Sequence, residues 1–181
     1  SVYVNSGSSA NLLMIYALRV SGRLKNNKIV VPAVSWSTTV APVIQFGMEP
    51  ILCDADEENL GISIEHLEEI FRNDNPAAVV LVHALGFPAR LDEIIALCDR
   101  FNVILLEDSC ETVGSTYHDT KTGNFGLMST FSFYFGHHIS TIEGGMVSTS
   151  DKEMHKLLVM LRSHGWGRDL SDTANHRLKQ R

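Results

Sequence analysis

The sequence predicts an α/β fold with three layers, in which a mostly parallel sheet is covered by helices on both faces. Short apolar runs rich in Val, Ile and Leu alternate along the chain with segments whose apolar residues recur at helical spacing. Several runs are almost continuously apolar, which is typical of strands buried on both faces. The alternation favours right-handed strand–helix–strand units in one sheet. No internal repeat, low-complexity tract or inter-domain linker interrupts the sequence.

Seven short runs are predicted to be strands because they are apolar, mostly contain β-branched residues and are bounded by turn signals. Pro32 stops the second of these runs, since proline has no N–H to donate to a ladder. The predicted strands are Val2–Val4, Lys28–Val31, Ile51–Cys53, Ala77–Val82, Val103–Leu106, Phe131–Phe135 and Gly145–Thr149.

Five segments are predicted to be helices from their spacing and their end signals. Gly22 and Gly47 follow two of them, and glycine commonly ends a helix. Pro42 is tolerated only near the first turn of its helix, and Ser63 is the predicted N-cap of the third. The predicted helices are Ala10–Val20, Thr38–Phe46, the segment after Ser63 that runs through Leu67 and Ile70, Leu91–Phe101, and Asp151–Ser163.

Composition excludes several classes of protein. Of 181 residues, 44% are hydrophobic and 20% charged, and the longest apolar runs are far shorter than the ~20 residues of a membrane helix. A formal net charge of −6 argues against nucleic-acid or membrane binding through a basic face. Cys53, Cys98 and Cys110 form no CxxC pair, which favours a reducing cytoplasm over a disulfide scaffold or a zinc site.

Three segments are predicted to lie beyond the carboxyl ends of the strands, where open α/β sheets bind ligands: Ser6–Ala10, Asp108–Glu111 and Ser132–Gly145. The first opens a helix with small residues. Its N–H groups and hydroxyls could hold a phosphate, or its serine could simply cap the helix. Asp108 could bind a metal, cap a helix or pair with a ring nitrogen.

His137 and His138 leave several interpretations open. Adjacent side chains on an extended chain point to opposite sides, so at most one of these histidines faces a given pocket. A metal pair would prefer a different spacing and further Cys or carboxylate ligands. The alternatives are one histidine with a chemical role, a satisfied histidine beside a surface one, or a metal hydrolase that uses both.

Seven short motifs occur in succession, and their order is more specific than any single motif. They are Ser6-Gly7-Ser8-Ser9-Ala10-Asn11, Val31-Pro32-Ala33 with Trp36, Val82-His83-Ala84-Leu85-Gly86, Glu107-Asp108-Ser109-Cys110-Glu111, Ser132-Phe133-Tyr134, Glu143-Gly144-Gly145 and Arg162-Ser163-His164-Gly165-Trp166. The series resembles the DegT/DnrJ/StrS-type sugar aminotransferase family, pyridoxal-phosphate (PLP) proteins of the aspartate aminotransferase fold (PLP fold type I). The resemblance implies that residues 1–181 are a PLP-binding large domain, with an N-terminal stretch and a C-terminal small domain missing.

The resemblance also implies a role for each cofactor-binding residue. Gly7, Ser8 and Ser132 would bind the cofactor phosphate, and Trp36 matches the aromatic residue that stacks on the pyridine ring. Asp108 would pair with the pyridinium nitrogen. A nearby anion keeps that nitrogen protonated, so that the ring can accept electrons from the substrate carbon.

Two positions depart from the usual family pattern. Glu111 stands where most members have Gln near the phenolic oxygen of the ring, so its carboxylate must be protonated or find a donor. His137 stands where members have the lysine that forms the Schiff base with PLP. Imidazole makes no stable imine with the PLP aldehyde, but it is a good general base near neutral pH. The replacement is similar to that of a minority branch, the keto-sugar 3-dehydratases, and implies His137 as the base and no catalytic role for His138.

In that branch, pyridoxamine phosphate (PMP) condenses with the 4-keto group of a nucleotide-linked 6-deoxy sugar, and the C3 hydroxyl leaves. One type passes electrons through a 2Fe–2S cluster, and the other regenerates PMP with glutamate. The cluster type has Cys-x-Cys where this chain has Leu170-Ser171-Asp172, and Cys110 alone cannot supply four ligands. The resemblance therefore implies a glutamate-driven 3-dehydratase of 3,6-dideoxysugar biosynthesis, which serves lipopolysaccharide O-antigen or other surface polysaccharides.

Two other functions remain as alternatives. A conventional nucleotide-sugar aminotransferase would need another lysine, such as Lys121 in the predicted loop Asp119–Gly123. A noncatalytic PLP-fold protein that binds a nucleotide sugar would be indicated by loss of Asp108, which is present. The resemblance further implies a homodimer whose active sites include residues of both chains, around Arg162–Arg168.

Overall fold

A seven-stranded sheet forms the centre of the computed structural model, which describes residues 1–168 and Leu170. A separate two-stranded hairpin, β6 with β7, lies outside this sheet. The strands are β1 (Val2–Val4), β2 (Lys28–Pro32), β3 (Glu49–Cys53), β4 (Ala78–Val82), β5 (Ile104–Asp108), β6 (Thr116–Tyr117), β7 (Thr120–Lys121), β8 (Met128–Ser132) and β9 (Gly145–Ser148).

The strand order β1-β9-β8-β5-β4-β2-β3 places β5 in the interior of the sheet. Strands β2, β3, β4, β5 and β8 are parallel, β9 is antiparallel to β8, and β1 is antiparallel to β9. The predicted mostly parallel sheet is therefore confirmed. The carboxyl ends of its five parallel strands share one edge, which is the edge where such sheets bind ligands.

Five helices cover the two faces of the sheet in the part of the chain that the structure describes. Successive residues of β2 show the division, because Ile29 and Val31 pack into the core beneath α1, α2 and α5, whereas Val30 packs into the core beneath α3 and α4. The three predicted layers are confirmed. The helices are α1 (Gly7–Val20), α2 (Ser37–Gln45), α3 (Ile64–Asp74), α4 (Leu91–Phe101) and α5 (Lys152–Arg162).

Local capping explains several helix ends. Ser63 caps α3 as predicted, accepting a hydrogen bond from the His66 N–H (3.4 Å). Asn75 and Asn102 end α3 and α4 in the left-handed conformation that asparagine tolerates better than most residues. α1 begins at Gly7 rather than at the predicted Ala10, because the small residues of the turn belong to the helix itself.

Two predicted strands are wrong in position. β5 continues through Asp108 instead of ending at Leu106, since the backbone of Asp108 pairs with Val82 on one side and Thr130 on the other. β8 ends at Ser132, although Phe131–Phe135 was the predicted strand. Side-chain hydrophobicity there resembles a strand, but the chain leaves the sheet and exposes its aromatic residues instead.

The predicted loop Asp119–Gly123 is also partly wrong, because Lys121 belongs to β7 of the hairpin. His118 and Asp119 form its tight turn, both with positive φ. The two strands have two residues each, too short to show a hydrophobic period. Among the described helices, none is long and apolar enough to cross a membrane.

Asp151 provides a test of helix capping in this fold. Its Oδ1 accepts the N–H groups of Glu153 and Met154 (both 2.9 Å) at the start of α5, and its Oδ2 accepts a hydrogen bond from Arg23 (2.7 Å). We expect Asp151→Ala to lower the free energy of unfolding in urea by about 1–2 kcal/mol, because it removes the cap and the ion pair. Asp151→Asn should lose roughly half as much or less, since it retains the cap acceptor. Equal losses in both variants would contradict the capping account.

Candidate active site

The predicted site segments meet at the carboxyl edge of the sheet. β5 ends at Asp108, β8 ends at Ser132, and α1 begins at Gly7 between them. These three elements are not consecutive along the chain, so the parallel topology is what brings them together. The expectation that Ser6–Ala10 and Asp108–Glu111 share one edge with Ser132 agrees with this arrangement.

The turn before α1 forms a concave backbone surface. Ser6 caps α1 by accepting a hydrogen bond from the Ser9 N–H (3.1 Å). Gly7 is buried, and a Cβ at this position would lie 2.6 Å from the Ser132 Cβ and 3.2 Å from the Cys110 Sγ. Only glycine allows these positions to approach so closely. The N–H groups of the first turn of a helix have no partner within the helix, so this cradle suits an anion such as phosphate, and capping by Ser6 and the predicted phosphate role are compatible.

The remaining cradle residues differ in exposure. Ser8 is exposed at the start of α1, whereas Ser132 is buried and its Oγ accepts the Tyr134 N–H (3.4 Å). The backbone of Gly145 lies against the carbonyl of Ser6, where a Cβ would collide with the Ser6 backbone. Gly145, the last residue of the predicted Glu143-Gly144-Gly145 turn and the first of β9, therefore packs against the backbone of the cradle.

Asp108 is the centre of the polar network and is only 5% exposed. Its Oδ2 accepts hydrogen bonds from the Asn11 amide (2.8 Å) and the Thr39 hydroxyl (2.9 Å), and its Oδ1 accepts the Cys110 N–H (3.2 Å). The Thr130 hydroxyl donates to the Asn11 carbonyl oxygen (2.7 Å) and fixes the orientation of that amide. These three donors are neutral groups, so none of them supplies the positive charge that a cationic ligand atom would bring to Asp108.

Trp36 and Glu111 lie at the rim of the site. Trp36 precedes α2, its carbonyl accepts the Thr39 N–H (3.0 Å), and the residue is 75% exposed, so its indole can offer a face to a ligand. Glu111 is half-buried, and its Oε2 accepts the Leu85 N–H (2.7 Å). Of the two expectations for Glu111, the structure therefore agrees with the one in which the carboxylate finds a donor.

His137 lies in a bend after β8 and is half-buried, whereas His138 is exposed. The expected extended chain is wrong here, because residues 135–139 form a turn and a bend. The His137 N–H donates to the Tyr134 carbonyl (3.0 Å), and the two rings meet edge to face at 6.2 Å. Within the part of the chain that is described, neither ring nitrogen of His137 has a hydrogen-bond partner, so the imidazole is available to move a proton.

The three cysteines are poor metal ligands in their present environments. Burial, and then the charge of Asp108, raise the pKa of the Cys110 thiol, and burial raises the pKa of Cys53 and of Cys98 to about 12. A thiol must lose its proton to ligate a metal. The described residues contain no group of three or more His, Cys, Asp or Glu side chains placed to hold a metal ion.

A second buried polar pair, His83 with Glu107, was not predicted from the sequence. Both side chains are fully buried, and their Nε2 and Oε2 atoms lie 3.1 Å apart. His83 Nδ1 accepts the Ala89 N–H (3.3 Å), which assigns the ring proton to Nε2 and makes Nε2 the donor to Glu107. The alternation of side chains along a strand could have indicated this pair, because Glu107 and Asp108 are adjacent in β5 and therefore point to opposite faces of the sheet.

Glu107 anchors a loop on the face opposite the candidate site. Its two oxygens accept the N–H groups of Gly123 (2.8 Å), Phe125 (2.7 Å) and Gly126 (2.6 Å) in addition to His83. Desolvation raises the pKa of Glu107, but the hydrogen bonds from His83, Gly126 and Gly123 outweigh desolvation, and the net pKa lies below its ordinary value. The carboxylate is therefore ionised in the folded protein at neutral pH.

The fold is that of PLP proteins of fold type I. The chain belongs to the DegT/DnrJ/EryC1/StrS aminotransferase family, whose sequence profile matches residues 1–179. The predicted family and fold class are both confirmed.

Solved structures and a curated relative narrow the similarity within that family. The structure of Escherichia coli GDP-4-keto-6-deoxy-D-mannose-3-dehydratase with bound hydrated PLP is 46% identical, with a TM-score of 0.89 over 94% of this chain and 44% of that chain. A GDP-4-keto-6-deoxymannose-3-dehydratase with a trapped PLP-glutamate geminal diamine is 44% identical, with a TM-score of 0.86 over 94% of this chain and 45% of that chain. A curated GDP-4-keto-6-deoxy-D-mannose 3-dehydratase of Escherichia coli is 45% identical over 173 residues, or 94% of this chain and 44% of that protein. The chain thus spans less than half the length of these relatives.

The buried Glu107 carboxylate predicts a specific dependence of stability on pH. Because its folded pKa lies below the unfolded value of about 4.3, the stabilisation is complete above that pH and is lost as pH falls through the folded pKa. We expect Glu107→Gln to lower the free energy of unfolding at neutral pH by roughly 3 kcal/mol and to flatten its decline in acid. Urea denaturation at neutral pH and at several acidic values measures both effects.

The exposed Glu69 in α3 supplies the control, since Glu69→Gln removes a charge without removing a buried contact. Its unfolding free energy should remain within about 0.5 kcal/mol of the wild type. If Glu107→Gln declined in acid as steeply as the wild type, the proposed role of Glu107 in stability would be wrong.

Proposed function

We propose that the chain belongs to a PLP/PMP-dependent 3-dehydratase that acts on a nucleotide-linked 4-keto-6-deoxy sugar. The proposal is carried by His137, which by the family resemblance stands at the position of the Schiff-base lysine, in a chain for which the relatives named above are 3-dehydratases. The half-buried imidazole, with both ring nitrogens without partners in the described residues, supports its role as the base.

The observed cradle fits the phosphate of the proposed cofactor. Gly7, Ser8 and Ser132 would hold that phosphate, since Gly7 leaves space that any side chain would fill. The helix-start N–H groups of α1 would favour its negative charge. Trp36 would cover one face of the ring, and its exposure leaves the indole free to do so. When bound, PMP supplies the amine that condenses with the sugar ketone and a ring that accepts electrons from carbon.

Asp108 would hold a proton on the ring nitrogen. The Asp108 carboxylate is buried, and three neutral groups orient it through hydrogen bonds. Thr130 acts through Asn11 and fixes the direction from which the amide reaches Asp108. The residues of three different elements thus orient one carboxylate before any ligand arrives.

His137 would remove a proton from the methylene carbon of the cofactor and so prepare departure of the C3 hydroxyl. An imidazole performs such a transfer at neutral pH without forming a covalent bond to the cofactor. The edge-to-face contact with Tyr134 and the backbone hydrogen bond to the same residue restrict the ring without occupying either nitrogen.

Glutamate is the amino donor that we propose for regeneration of PMP. One solved relative was trapped with a PLP–glutamate adduct, which supports this assignment. The chain has Leu170-Ser171-Asp172 where the cluster-containing type has Cys-x-Cys, and the Cys110 thiol has a raised pKa. Ser171 and Asp172 lie outside the described residues. We also propose a homodimer in the cytoplasm, and residues 162–168 as part of the shared active site.

The conventional aminotransferase gains no support from Lys121. This lysine is exposed on the hairpin of β6 and β7 and stands outside the polar network around Asp108. The noncatalytic alternative is equally unsupported, because Asp108, whose loss would indicate it, is present.

The matched pair His137 and His138 tests the proposal. We expect His137→Asn to bind PLP with unchanged stoichiometry but to reduce the dehydration rate by about 10²–10⁴-fold, because it removes the general base. His138→Asn should retain wild-type turnover, since His138 is exposed and has no proposed role. Cofactor absorbance and release of the 3-deoxy product measure binding and turnover separately. Unchanged turnover in His137→Asn would rule out His137 as the base.

A further inference from the structure

The turn Ala84–Gly86 after β4 has an unusual backbone. Leu85 adopts φ 53° and ψ 22°, a left-handed conformation that is strained for a residue with a branched apolar side chain. Asn75 and Asn102 also have positive φ, but they are helix caps of a residue type that tolerates it, whereas Leu60 and Ile142 share the strained conformation in other bends of the chain. Leu85 has neither of these explanations, so the surrounding contacts must impose its conformation.

Hydrogen bonds to Glu111 and Ser115 hold the turn at the rim of the candidate site. Glu111 Oε2 accepts the Leu85 N–H (2.7 Å), and the Ser115 hydroxyl donates to the Gly86 carbonyl (2.8 Å). The Phe87 N–H closes the turn on the Ala84 carbonyl (3.0 Å). Because Glu111 lies three residues after Asp108, its carboxylate ties the turn directly to the site.

Further hydrogen bonds hold the residues that flank the turn, His83 and Ala89. The backbone N–H of His83 donates to the Asp108 carbonyl (3.4 Å), and the His83 side chain is fixed between Glu107 and the Ala89 N–H. The segment from His83 to Ala89 is therefore attached at both ends to buried groups. Such attachment makes the turn a rigid part of the site rather than a mobile loop.

The turn displays two large apolar side chains. Leu85 is 67% exposed and Phe87 is 60% exposed, although neighbouring Ala84 and Ala89 are buried. A strained backbone that exposes apolar groups beside a polar site is typical of a ligand contact. The chemistry that matches this surface is an apolar group on an otherwise polar ligand.

We propose that Glu111 is a positioning residue that fixes the turn, and that Leu85 contacts the C6 methyl group of the sugar and so selects 6-deoxy over 6-hydroxy substrates. The proposal rests on the proposed function, which supplies the class of substrate. The methyl group is the most apolar part of a 6-deoxyhexose, and contact with it removes apolar surface of both partners from water. A C6 hydroxyl at that position would lose its water without gaining a partner from Leu85.

Binding of two nucleotide sugars tests the proposal without any turnover. GDP-linked 6-deoxymannose and GDP-mannose differ only in the C6 hydroxyl, and titration calorimetry on the PLP-loaded protein gives the affinity of each. We expect the wild type to prefer the 6-deoxy ligand by about tenfold, within the range of one small group in an apolar contact. Leu85→Asn, which tolerates positive φ, should bring that ratio near one.

Four variants separate positioning from general stability. Leu85→Gly removes the side chain and the strain, so it should lose the preference even though it folds at least as well. Glu111→Ala should lose the preference too, whereas Glu111→Gln should restore it, because the amide oxygen still accepts the Leu85 N–H. Leu52→Asn is the matched control on β3, where the residue is 59% exposed and distant in sequence from the site, and its ratio should equal the wild-type ratio.

An unchanged ratio in Leu85→Asn or Leu85→Gly would overturn the proposal, and so would a wild type that binds both ligands equally or binds neither. A preference lost equally in Glu111→Ala and Glu111→Gln would overturn the positioning role of Glu111. The dehydration assay with His137→Asn tests the proposed function itself. If His137→Asn kept wild-type turnover while the wild type still preferred the 6-deoxy ligand, the proposed function would fail and the proposal for Leu85 would not.

Discussion

The structure depends on the burial of two adjacent carboxylates in β5. Because side chains alternate along a strand, Asp108 points to the face of α1 and α2, where Asn11 and Thr39 donate hydrogen bonds to it. Glu107 points to the other face, where His83 and the loop 123–126 donate hydrogen bonds to it. Each charge is costly to bury without partners, so each collects hydrogen bonds from several elements. One strand thereby fixes parts of the chain on both sides of the sheet.

This constraint also explains why the site is preorganised. The donors to Asp108 come from two helices and the turn after β5, and the cradle of Gly7 needs Ser132 from β8 beside it. Parallel topology brings these ends to one edge, while the Glu111 contact extends the same edge to the Leu85 turn. In the proposed function, the buried Asp108 carboxylate would contact the cofactor, and the exposed apolar side chains of the Leu85 turn would contact the sugar.

Much of the fold could be predicted because its signals are local. The helix Leu91–Phe101 has the predicted bounds, and Ser63 caps its helix as predicted. Both could be predicted because a hydrophobic period and an N-cap depend only on residues within one short segment. The aromatic run Phe131–Phe135 misled the prediction of β8, because hydrophobicity alone does not show where a chain leaves its sheet. The pairing of His83 with Glu107 was missed because it joins the residue after β4 to β5 across 24 positions. The roles of the site residues remain predictions that the geometry supports.

The central claim is that an imidazole replaces the lysine and that the cofactor is held without a covalent bond to the protein. Borohydride treatment of the PLP-loaded protein, followed by peptide mass spectrometry, measures this directly. The account predicts that no lysine of the wild type carries reduced cofactor, and that His137→Lys carries it at position 137. A stoichiometric cofactor adduct on a native lysine such as Lys121 would contradict the account.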